Sequence, residues 1–248
     1  MIFHNKCSGN MCEVEDESVH LVITSPPYPM IKKWDKMFGI VNFQYQHMQL
    51  LHSWTECKRV LVDGGIMCIN IGDATRSMDK HGFYCFPNYA KVALDMFLMG
   101  MKPLIPILWK KISNRPNAFL GSGMLPPNGY ISQDHEYIAI FRKGNLRKFP
   151  VKDPNRYASS FTKEERDLWF QQTWNIQGAK GAKNTSAWPN EIPYRLIKMF
   201  SVIGDTVLDP FCGSGSSMKI AEENGRIGIG YDTVDYINPE IKRKRREI

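Results

Sequence analysis

Two short segments of this sequence combine residues that can do chemistry: TSPPY at Thr24–Tyr28 and DPFCGSG at Asp209–Gly215. Each segment follows an apolar, β-branched run, Val19–Ile23 in the first case and Thr206–Leu208 in the second. Such runs are typical of buried strands. Both segments are therefore predicted to lie where a strand meets a loop.

The TSPPY segment is rich in hydrogen-bond acceptors. Its two prolines fix φ at consecutive positions and carry no backbone N–H. The polar groups that remain are the Ser25 hydroxyl and the carbonyl oxygens of Ser25 and Pro26, which suit an exocyclic NH2 group with its two donors. Tyr28 adds a ring on which a base extracted from a duplex can stack. The structural alternative is a rigid Pro-Pro turn that only caps a strand.

The DPFCGSG segment predicts a turn that approaches a ligand closely. Gly213 and Gly215 carry no Cβ and permit a tight turn, and the following helix would direct its N-terminus at the ligand. Asp232 ends the next predicted strand, where an acceptor for ribose hydroxyls is expected. A GxGxxG nicotinamide motif is absent because Met218 occupies the third glycine position, and no GK[ST] follows. A nucleoside without a pyrophosphate fits better; a plain strand-to-helix connection is the alternative.

Elsewhere in the chain, strand and helix patterns alternate, which predicts a mostly parallel sheet. The predicted strands are Ile2–Phe3, Val19–Ile23, Ile66–Ile71, Pro103–Trp109, His135–Phe141, Thr206–Leu208 and Ile227–Tyr231, and the predicted helices span 42–62, 86–100, 193–201 and 216–224. A turn is predicted at Asp63-Gly64-Gly65 and a long loop over 110–134, which is rich in Asn, Pro and Gly.

Length and composition limit the classes of protein. With 248 residues, 43% of them hydrophobic, the chain fits one large α/β domain or two small ones. No run of about 18 apolar residues predicts a membrane span, and the N-terminus lacks the layout of a signal peptide. Six Cys without CxxC spacing disfavour a zinc ribbon or a disulfide framework, predict no metal site and suit a reducing cytoplasm. The net charge of +7 favours a polyanionic partner.

Taken together, the two motifs resemble those of the amino-methylating DNA methyltransferases that use S-adenosylmethionine. In that family an [DNS]PP[YFW] motif forms the target pocket and a DPFxGSG motif binds the cofactor. The target motif comes first here, which matches the β group. Other segments that look like family landmarks are Asp16–Tyr28, Val60–Gly65, Trp109-Lys110, His135–Ile138 and Trp188–Ser217.

The resemblance implies an α/β fold of the Rossmann-like methyltransferase type. The sheet would have seven mostly parallel strands with one antiparallel pair, and the motif order would be permuted. Residues 1–141 would form the catalytic half and residues 184–248 the cofactor-binding half of one domain. The unmatched residues 142–183, which are basic and aromatic, would be a small insertion for target recognition.

The resemblance also implies the reaction, a site-specific methyl transfer to the N4 amine of cytosine after base flipping. Ser before the prolines is usual for cytosine N4, whereas Asp is usual for adenine N6, which stays as the alternative. A catalytically silent nucleic-acid-binding relative and a nicotinamide-dependent oxidoreductase are further alternatives. A cytosine C5 enzyme is disfavoured because the chain has no Pro-Cys pair. Double-stranded DNA is the implied partner, and a cognate restriction endonuclease and a second copy of the chain are candidates.

The site residues follow from the matched motifs. The catalytic pocket would comprise Ser25, Pro26, Pro27 and Tyr28. The cofactor would contact Asp209, Pro210, Phe211, Cys212, Gly213, Ser214, Gly215, Asp232, Trp188 and Pro189. Two positions depart from the family pattern: Asn5-Lys6-Cys7 stands where an Asp near the adenine is usual, and Asn184 where a His is frequent.

Cations are the expected contacts to DNA phosphates. The candidates are Lys110, Lys111, Arg115, Lys143, Arg147, Lys148, Arg156 and Lys163. Ordinary solvated surface charge is the alternative for each of them.

Overall fold

A computed structural model describes residues 1–79, 82–112, 131, 133–178 and 188–234. Its strands are β1 (Ile2–His4), β2 (Val19–Thr24), β3 (Leu61–Ile71), β4 (Ala74–Asp79), β5 (Gly82–Phe86), β6 (Lys102–Pro103), β7 (Ile107–Ile112), β8 (His135–Arg142), β9 (Thr173–Gln177), β10 (Thr206–Asp209) and β11 (Ile227–Tyr231). Its α-helices are α1 (Asp35–Phe38), α2 (Phe43–Val60), α3 (Asn88–Leu98), α4 (Pro154–Ala158), α5 (Lys163–Trp169), α6 (Glu191–Phe200) and α7 (Ser216–Glu223), and a 3₁₀ turn precedes α1.

The main sheet has the order β1-β11-β10-β2-β3-β8-β7-β9, and β6 pairs with β8. Strands β1, β11, β10, β2 and β3 are mutually parallel, whereas β8 runs antiparallel to both β3 and β7. The predicted α/β fold with a mostly parallel sheet is confirmed. The main sheet has nine strands among the described residues instead of seven, because the predicted strand Pro103–Trp109 is divided between β6 and β7 and because β9 was not expected.

Helices cover both faces of this sheet, so its central strands are buried on both sides. Trp54 of α2 and Met96 of α3 pack with Leu208 in one apolar cluster. On the other face, Leu196 of α6 and Ala221 of α7 pack in a second cluster. Burial on both faces explains why the central strands read as continuous apolar runs rather than as alternating patterns. Among the helices that the structure describes, none combines the length and the apolar character needed to span a bilayer.

Local structure departs from the sequence-based prediction in two loops. The predicted turn at Asp63-Gly64-Gly65 lies inside β3, because α2 leads directly into that strand and Gly64 takes a φ of +82° there. Strands β4 and β5 form an antiparallel hairpin that the sequence did not predict. An ion pair between Arg76 and Asp35, with nitrogen–oxygen distances of 2.7 and 2.8 Å, ties this hairpin to α1. Most of the predicted loop over 110–134 lies outside the described residues.

The segment 142–183 joins the core in part. Strand β9 pairs in parallel with β7, and its residues alternate between exposed and buried. The indole N–H of Trp174 donates to the Trp169 carbonyl oxygen at 2.9 Å, and both rings are buried. These two aromatic rings therefore stabilise the protein interior. Residues 179–183 lie outside the described part of the chain.

Candidate functional site

The two chemical motifs meet at one edge of the sheet. Strands β2 and β10 are parallel neighbours, so TSPPY and DPFCGSG both leave the sheet at what we call the carboxyl edge, where Thr24, Ile71, Asp209 and Tyr231 end their strands. The hydroxyl of Thr24 donates to Oδ1 of Asp209 at 2.8 Å, and both side chains are buried. A buried hydrogen bond thus links the first residue of one motif to the first residue of the other.

Asp209 organises the glycine turn from inside the protein. Besides Thr24, its carboxylate accepts from the backbone N–H of Phe211 at 3.1 Å and from the Ser217 hydroxyl at 2.5 Å. Burial raises the pKa of Asp209 to about 6, although the hydrogen bonds from Ser217 and Thr24 act in the opposite direction. The carboxylate is held by internal donors, so its contribution to a ligand site is to fix the turn. Its predicted contact with a cofactor stays a prediction.

The glycine turn leaves room for a ligand. Gly213 and Gly215 have φ values of +53° and +77°, a region that favours glycine. A Cβ at Gly213 would meet no atom within 4 Å, so open space lies beside the turn. The carboxylate of Asp232, at the end of β11, accepts from the Gly213 N–H at 3.0 Å. Open space and an acid at adjacent strand ends are the features that a ribose-containing ligand requires.

The other predicted cofactor residues differ in exposure. The half-buried Phe211 ring packs edge-on against Trp54, with a centroid distance of 5.8 Å. Cys212 is buried and burial raises the pKa of its thiol, so it behaves as a small apolar group. Trp188 is buried in the apolar cluster beneath α6. Of the remaining predicted contacts, Pro210 is buried, Pro189 is half-buried and Ser214 is exposed.

Two positions depart from the family pattern, and the structure describes only the first of them, Asn5-Lys6-Cys7. Asn5 follows β1, and its side-chain amide donates to the Asp232 carbonyl oxygen at 3.1 Å. It therefore borders the carboxyl edge beside the acid that ends β11. Asn184 lies outside the described residues.

The TSPPY segment combines buried residues with two that are partly accessible. Pro26 and Pro27 are buried, whereas Ser25 and Tyr28 are half-buried. The hydroxyl oxygens of Ser25 and Tyr28 lie 3.4 Å apart. A rigid buried backbone thus presents one hydroxyl and one aromatic ring at the carboxyl edge.

A polar network fixes the Tyr28 ring. Its hydroxyl donates to Oε2 of Glu136 at 2.7 Å, and the Asn70 amide donates to the Tyr28 hydroxyl at 2.7 Å and to the same Glu136 oxygen at 2.8 Å. Lys111 forms an ion pair with the other Glu136 oxygen. Burial and the Glu136 carboxylate raise the pKa of Tyr28, so its hydroxyl stays protonated and can donate. The ring therefore has a single orientation set by β3 and β8.

The residues that follow the motif are held under backbone strain. Met30 is buried with a φ of +64°, a conformation that costs a non-glycine residue of the order of 1 kcal/mol. Its N–H donates to the Gln46 side chain at 2.6 Å. The buried Asn88 amide donates to the carbonyl oxygens of Pro29 and Gly72, each at 3.0 Å. These contacts tie the motif to α2, α3 and the end of β3.

Sequence reasoning missed Asn70, Glu136, Gln46 and Asn88. Asn70 did carry a signal, since it is the polar residue in the otherwise apolar run Ile66–Ile71. A buried polar side chain near the carboxyl end of a strand favours a role in a site. The other three residues lie in patterns that also suit an ordinary helix or strand, so their types alone did not identify them.

The predicted DNA-contacting cations divide between two parts of the molecule. Lys110 and Lys111 lie at the carboxyl edge, where Lys110 is 3.4 Å from Asp134 and Lys111 pairs with Glu136. Lys143 and Arg147 follow the end of β8, which runs antiparallel, so they lie at the opposite edge, which we call the amino edge.

At the amino edge, two of the predicted cations already have protein partners. Lys143 donates to the Leu61 carbonyl oxygen at 2.6 Å. Arg147 forms a two-pronged ion pair with Asp205, with distances of 2.6 and 2.9 Å. Both are therefore engaged within the protein, and a phosphate would compete with these contacts. Lys148, Arg156 and Lys163 are exposed, and Arg156 stacks over Phe149 at 5.0 Å. Arg115 lies outside the described residues.

Comparisons with known proteins identify relatives of this chain. The chain is 50% identical to the Type II methyltransferase M.MjaI of Methanocaldococcus jannaschii, over 94% of this chain and 87% of that protein. It is 41% identical to the Type II methyltransferase M.MthZI of Methanothermobacter thermautotrophicus, over 92% and 71%. A solved structure of TTHA0409, a DNA modification methylase described as putative, from Thermus thermophilus in complex with S-adenosyl-L-methionine superposes with a TM-score of 0.79, at 29% identity over 99% of this chain and 95% of that one.

The family match covers most of the chain, including both motifs. The model of the DNA methylase family, named for N6 and N4 methyltransferases, matches residues 19–243. This chain therefore belongs to the N6/N4 DNA methylase family.

Proposed function

We propose that the protein is a DNA methyltransferase that transfers a methyl group from S-adenosylmethionine to the exocyclic N4 amine of cytosine. The observation that carries this proposal is the hydrogen bond between Thr24 and Asp209 at adjacent parallel strand ends. It holds the TSPPY segment and the open glycine turn at one edge of the sheet, which supports an amine pocket beside a cofactor site. The motif order, with the target motif first, supports assignment to the β group.

The glycine turn is suited to the nucleoside half of the cofactor. Open space lies beside Gly213, and the half-buried Asp232 carboxylate would accept from ribose hydroxyls. The ring of Phe211 and the segment Trp188-Pro189 would complete the binding site. When bound, S-adenosylmethionine supplies an electrophilic methyl group on a sulfonium sulfur.

The TSPPY residues would hold the target amine for direct transfer. The Ser25 hydroxyl and the carbonyl oxygen of Pro26 would accept the two amine hydrogens, which localises the nitrogen lone pair toward the methyl group. Tyr28 would stack on the flipped base with its hydroxyl held by Glu136. The new C–N bond would form as the bond between the methyl group and the sulfonium sulfur breaks, S-adenosylhomocysteine would leave, and the amine would release one proton to water. No covalent bond to the protein is needed. Positioning supplies most of the rate.

We assign cytosine rather than adenine as the target base because Ser25 is the residue before the prolines. A neutral Ser25 in that position is usual in enzymes that modify cytosine N4, which supports the assignment by resemblance. The pocket acceptors suit the amine of either base, so adenine N6 is the competing outcome of the test.

DNA contacts complete the proposal. We expect phosphate contacts at the carboxyl edge from Lys110 and Lys111, and target recognition from the segment 142–183, in line with the division into 1–141, 142–183 and 184–248. A protein of this function would act on chromosomal DNA in the cytoplasm. Its biological partner would be a restriction endonuclease that cuts the same sequence. The protein would act as a monomer or as a homodimer.

The deciding experiment identifies the methylated nucleoside. Purified protein is incubated with DNA and labelled S-adenosylmethionine, the DNA is digested to nucleosides, and N4-methylcytosine is separated from N6-methyladenine. N4-methylcytosine is the expected product. N6-methyladenine would replace the cytosine assignment, and the absence of any labelled nucleoside would reject the enzyme.

The matched variant is Ser25→Ala. Losing the hydroxyl removes one amine acceptor, so we expect the transfer rate to fall by about two orders of magnitude. Binding of S-adenosylmethionine, measured by calorimetry, should be unchanged. A fully active Ser25→Ala protein would sink the pocket assignment.

A further inference from the structure

An open cleft of about 1040 Å³ lies at the amino edge of the sheet, away from both motifs. Arg142, the last residue of β8, lines this cleft together with Lys102 of β6 and with Arg147 and Lys148. The length of β8 separates Arg142 from Glu136 by about 20 Å. A ligand in this cleft is therefore separate from a base held at the carboxyl edge.

Arg142 is a cation of this cleft without a counter-charge among the described residues. It is half-buried, its Nε is fully buried without a hydrogen-bond partner, and it forms no ion pair with any residue in the described part of the chain. A guanidinium removed from water without a counter-charge is destabilising, and such groups are normally paired. An anion in the cleft that Arg142 lines would supply the missing counter-charge.

The charges around Arg142 are also unbalanced. Lys102 is its direct neighbour across the β6–β8 pair, and like charges in that position repel. Within the described residues, neither Lys102 nor Lys148 has a hydrogen-bond or ion-pair partner, and both are exposed. The acid in the lining is Asp63, whose carboxylate accepts from the Asn145 backbone N–H at 3.0 Å. Arg147 is already neutralised by Asp205.

We propose that this cleft binds a phosphate group, with the Arg142 guanidinium as its central contact and Lys102 and Lys148 as flanking charges. A guanidinium matches phosphate oxygens with two parallel hydrogen bonds, and ammonium groups add charge without fixed geometry. The phosphate comes either from a second DNA segment or from a free phosphorylated small molecule. The site is independent of methyl transfer, so it stands or falls separately from the proposed function.

The first test uses inorganic pyrophosphate and calorimetry, without S-adenosylmethionine. We expect the wild-type protein to bind pyrophosphate, and both Arg142→Gln and the double variant Lys102→Gln, Lys148→Gln to bind it at least tenfold more weakly. The control is Lys219→Gln, which removes one exposed cation from α7 and should leave binding unchanged. If Arg142→Gln fails to fold, the double variant decides alone, because its side chains are exposed.

The second test distinguishes the two sources of phosphate. Binding of a duplex made only of A·T pairs is measured as a function of salt, for the wild-type protein and the double variant. If DNA is the ligand, the slope of the logarithm of affinity against the logarithm of salt concentration should become shallower by about one unit for each cation removed. An unchanged salt dependence with weakened pyrophosphate binding assigns the site to a free phosphorylated molecule. If the variants match the wild-type protein in both tests, the proposal is wrong.

Discussion

The two edges of the sheet differ in how completely their polar side chains are paired. At the carboxyl edge, Thr24, Asn70, Glu136 and Asp209 bond to one another or to their motif neighbours. At the amino edge, Arg147 is paired with Asp205, but Arg142 forms no ion pair with any described residue and its Nε has no hydrogen-bond partner. A pocket that must align an amine with a methyl group needs side chains locked by internal bonds. A surface that attracts a polyanion instead needs its charges free.

The largest expected effect tests how far the carboxyl edge depends on its internal bonds. Asp209→Ala removes the acceptor for the Thr24 and Ser217 hydroxyls and for the Phe211 N–H. Because these donors are left unsatisfied in the interior, we expect the free energy of unfolding in urea to fall by about 3 kcal/mol. Asp232→Ala is the control, since that carboxylate is half-exposed and should cost about 1 kcal/mol or less. Equal losses in the two variants would contradict the buried link between the motifs.

The second expected effect is that Asp209 makes the free energy of unfolding depend on pH. Its pKa of about 6 in the folded protein lies above the ordinary value of 3.8. The folded state therefore binds this proton more tightly than the unfolded state does. The resulting contribution of Asp209 to the free energy of unfolding is fully present below about pH 4 and is lost as the pH rises through 6. Between pH 4.5 and 7.5 the loss should reach about 2 kcal/mol.

The measurement compares the wild-type protein with Asp209→Asn, which cannot titrate at this position. Urea unfolding at intervals from pH 4.5 to 7.5 gives the difference between their free energies of unfolding. We expect the free energy of unfolding of the wild-type protein to decrease relative to that of Asp209→Asn as the pH rises. Two parallel pH curves would mean that the Asp209 carboxyl is not buried in the way the structure describes.

The site could be predicted from sequence where short-range patterns determine it. Continuous apolar runs followed by Pro-Pro or by Gly-x-Gly placed both motifs at strand ends, and the structure has those strands at Val19–Thr24 and Thr206–Asp209. The reason is physical, since a strand buried on both faces must be apolar and a tight turn needs restricted or permissive residues.

The network around Tyr28 could not be predicted in that way. Asn70 and Glu136 meet only because β3 and β8 pair antiparallel in one particular register. Strand β9 was missed for the same reason, because its partner β7 is distant in the chain. Composition identified cations in the segment after β8, but it did not reveal that Arg147 pairs with Asp205, which lies 58 positions later. Local sequence carries no record of such long-range pairings.

At the amino edge, substitutions of two adjacent cations should distinguish a charge that is paired within the protein from one that is not. Arg147→Gln breaks the ion pair with the buried Asp205, which keeps a hydrogen bond from the Val202 N–H, so we expect a loss of about 1.5 kcal/mol in the free energy of unfolding. Lys148→Gln removes an exposed cation without a described partner, and should change stability by less than about 0.5 kcal/mol. The control is 1 M salt, which should affect the exposed charge more than the buried pair. Similar losses for both variants would remove the distinction between paired and free cations at this edge.

The smallest expected effect tests whether the carboxyl edge holds the Tyr28 ring for catalysis. In Glu136→Gln, one of the two acceptor oxygens becomes an NH2 group, which must face a donor from Tyr28, Asn70 or Lys111. The ring should lose its fixed orientation, and kcat/KM for methyl transfer should fall about tenfold, or 1.4 kcal/mol, with the loss mainly in kcat.

A merely structural role for Glu136 predicts a different pattern. It would lower the melting temperature and the cofactor affinity together, whereas an effect on the orientation of Tyr28 leaves the binding of S-adenosylmethionine intact. Glu223→Gln, an exposed substitution on α7, controls for the loss of one negative charge. A Glu136→Gln protein with wild-type kcat would show that the proposed stacking of Tyr28 on a flipped base does not need the hydroxyl to be held. The carboxyl edge would then depend on its internal bonds for stability alone.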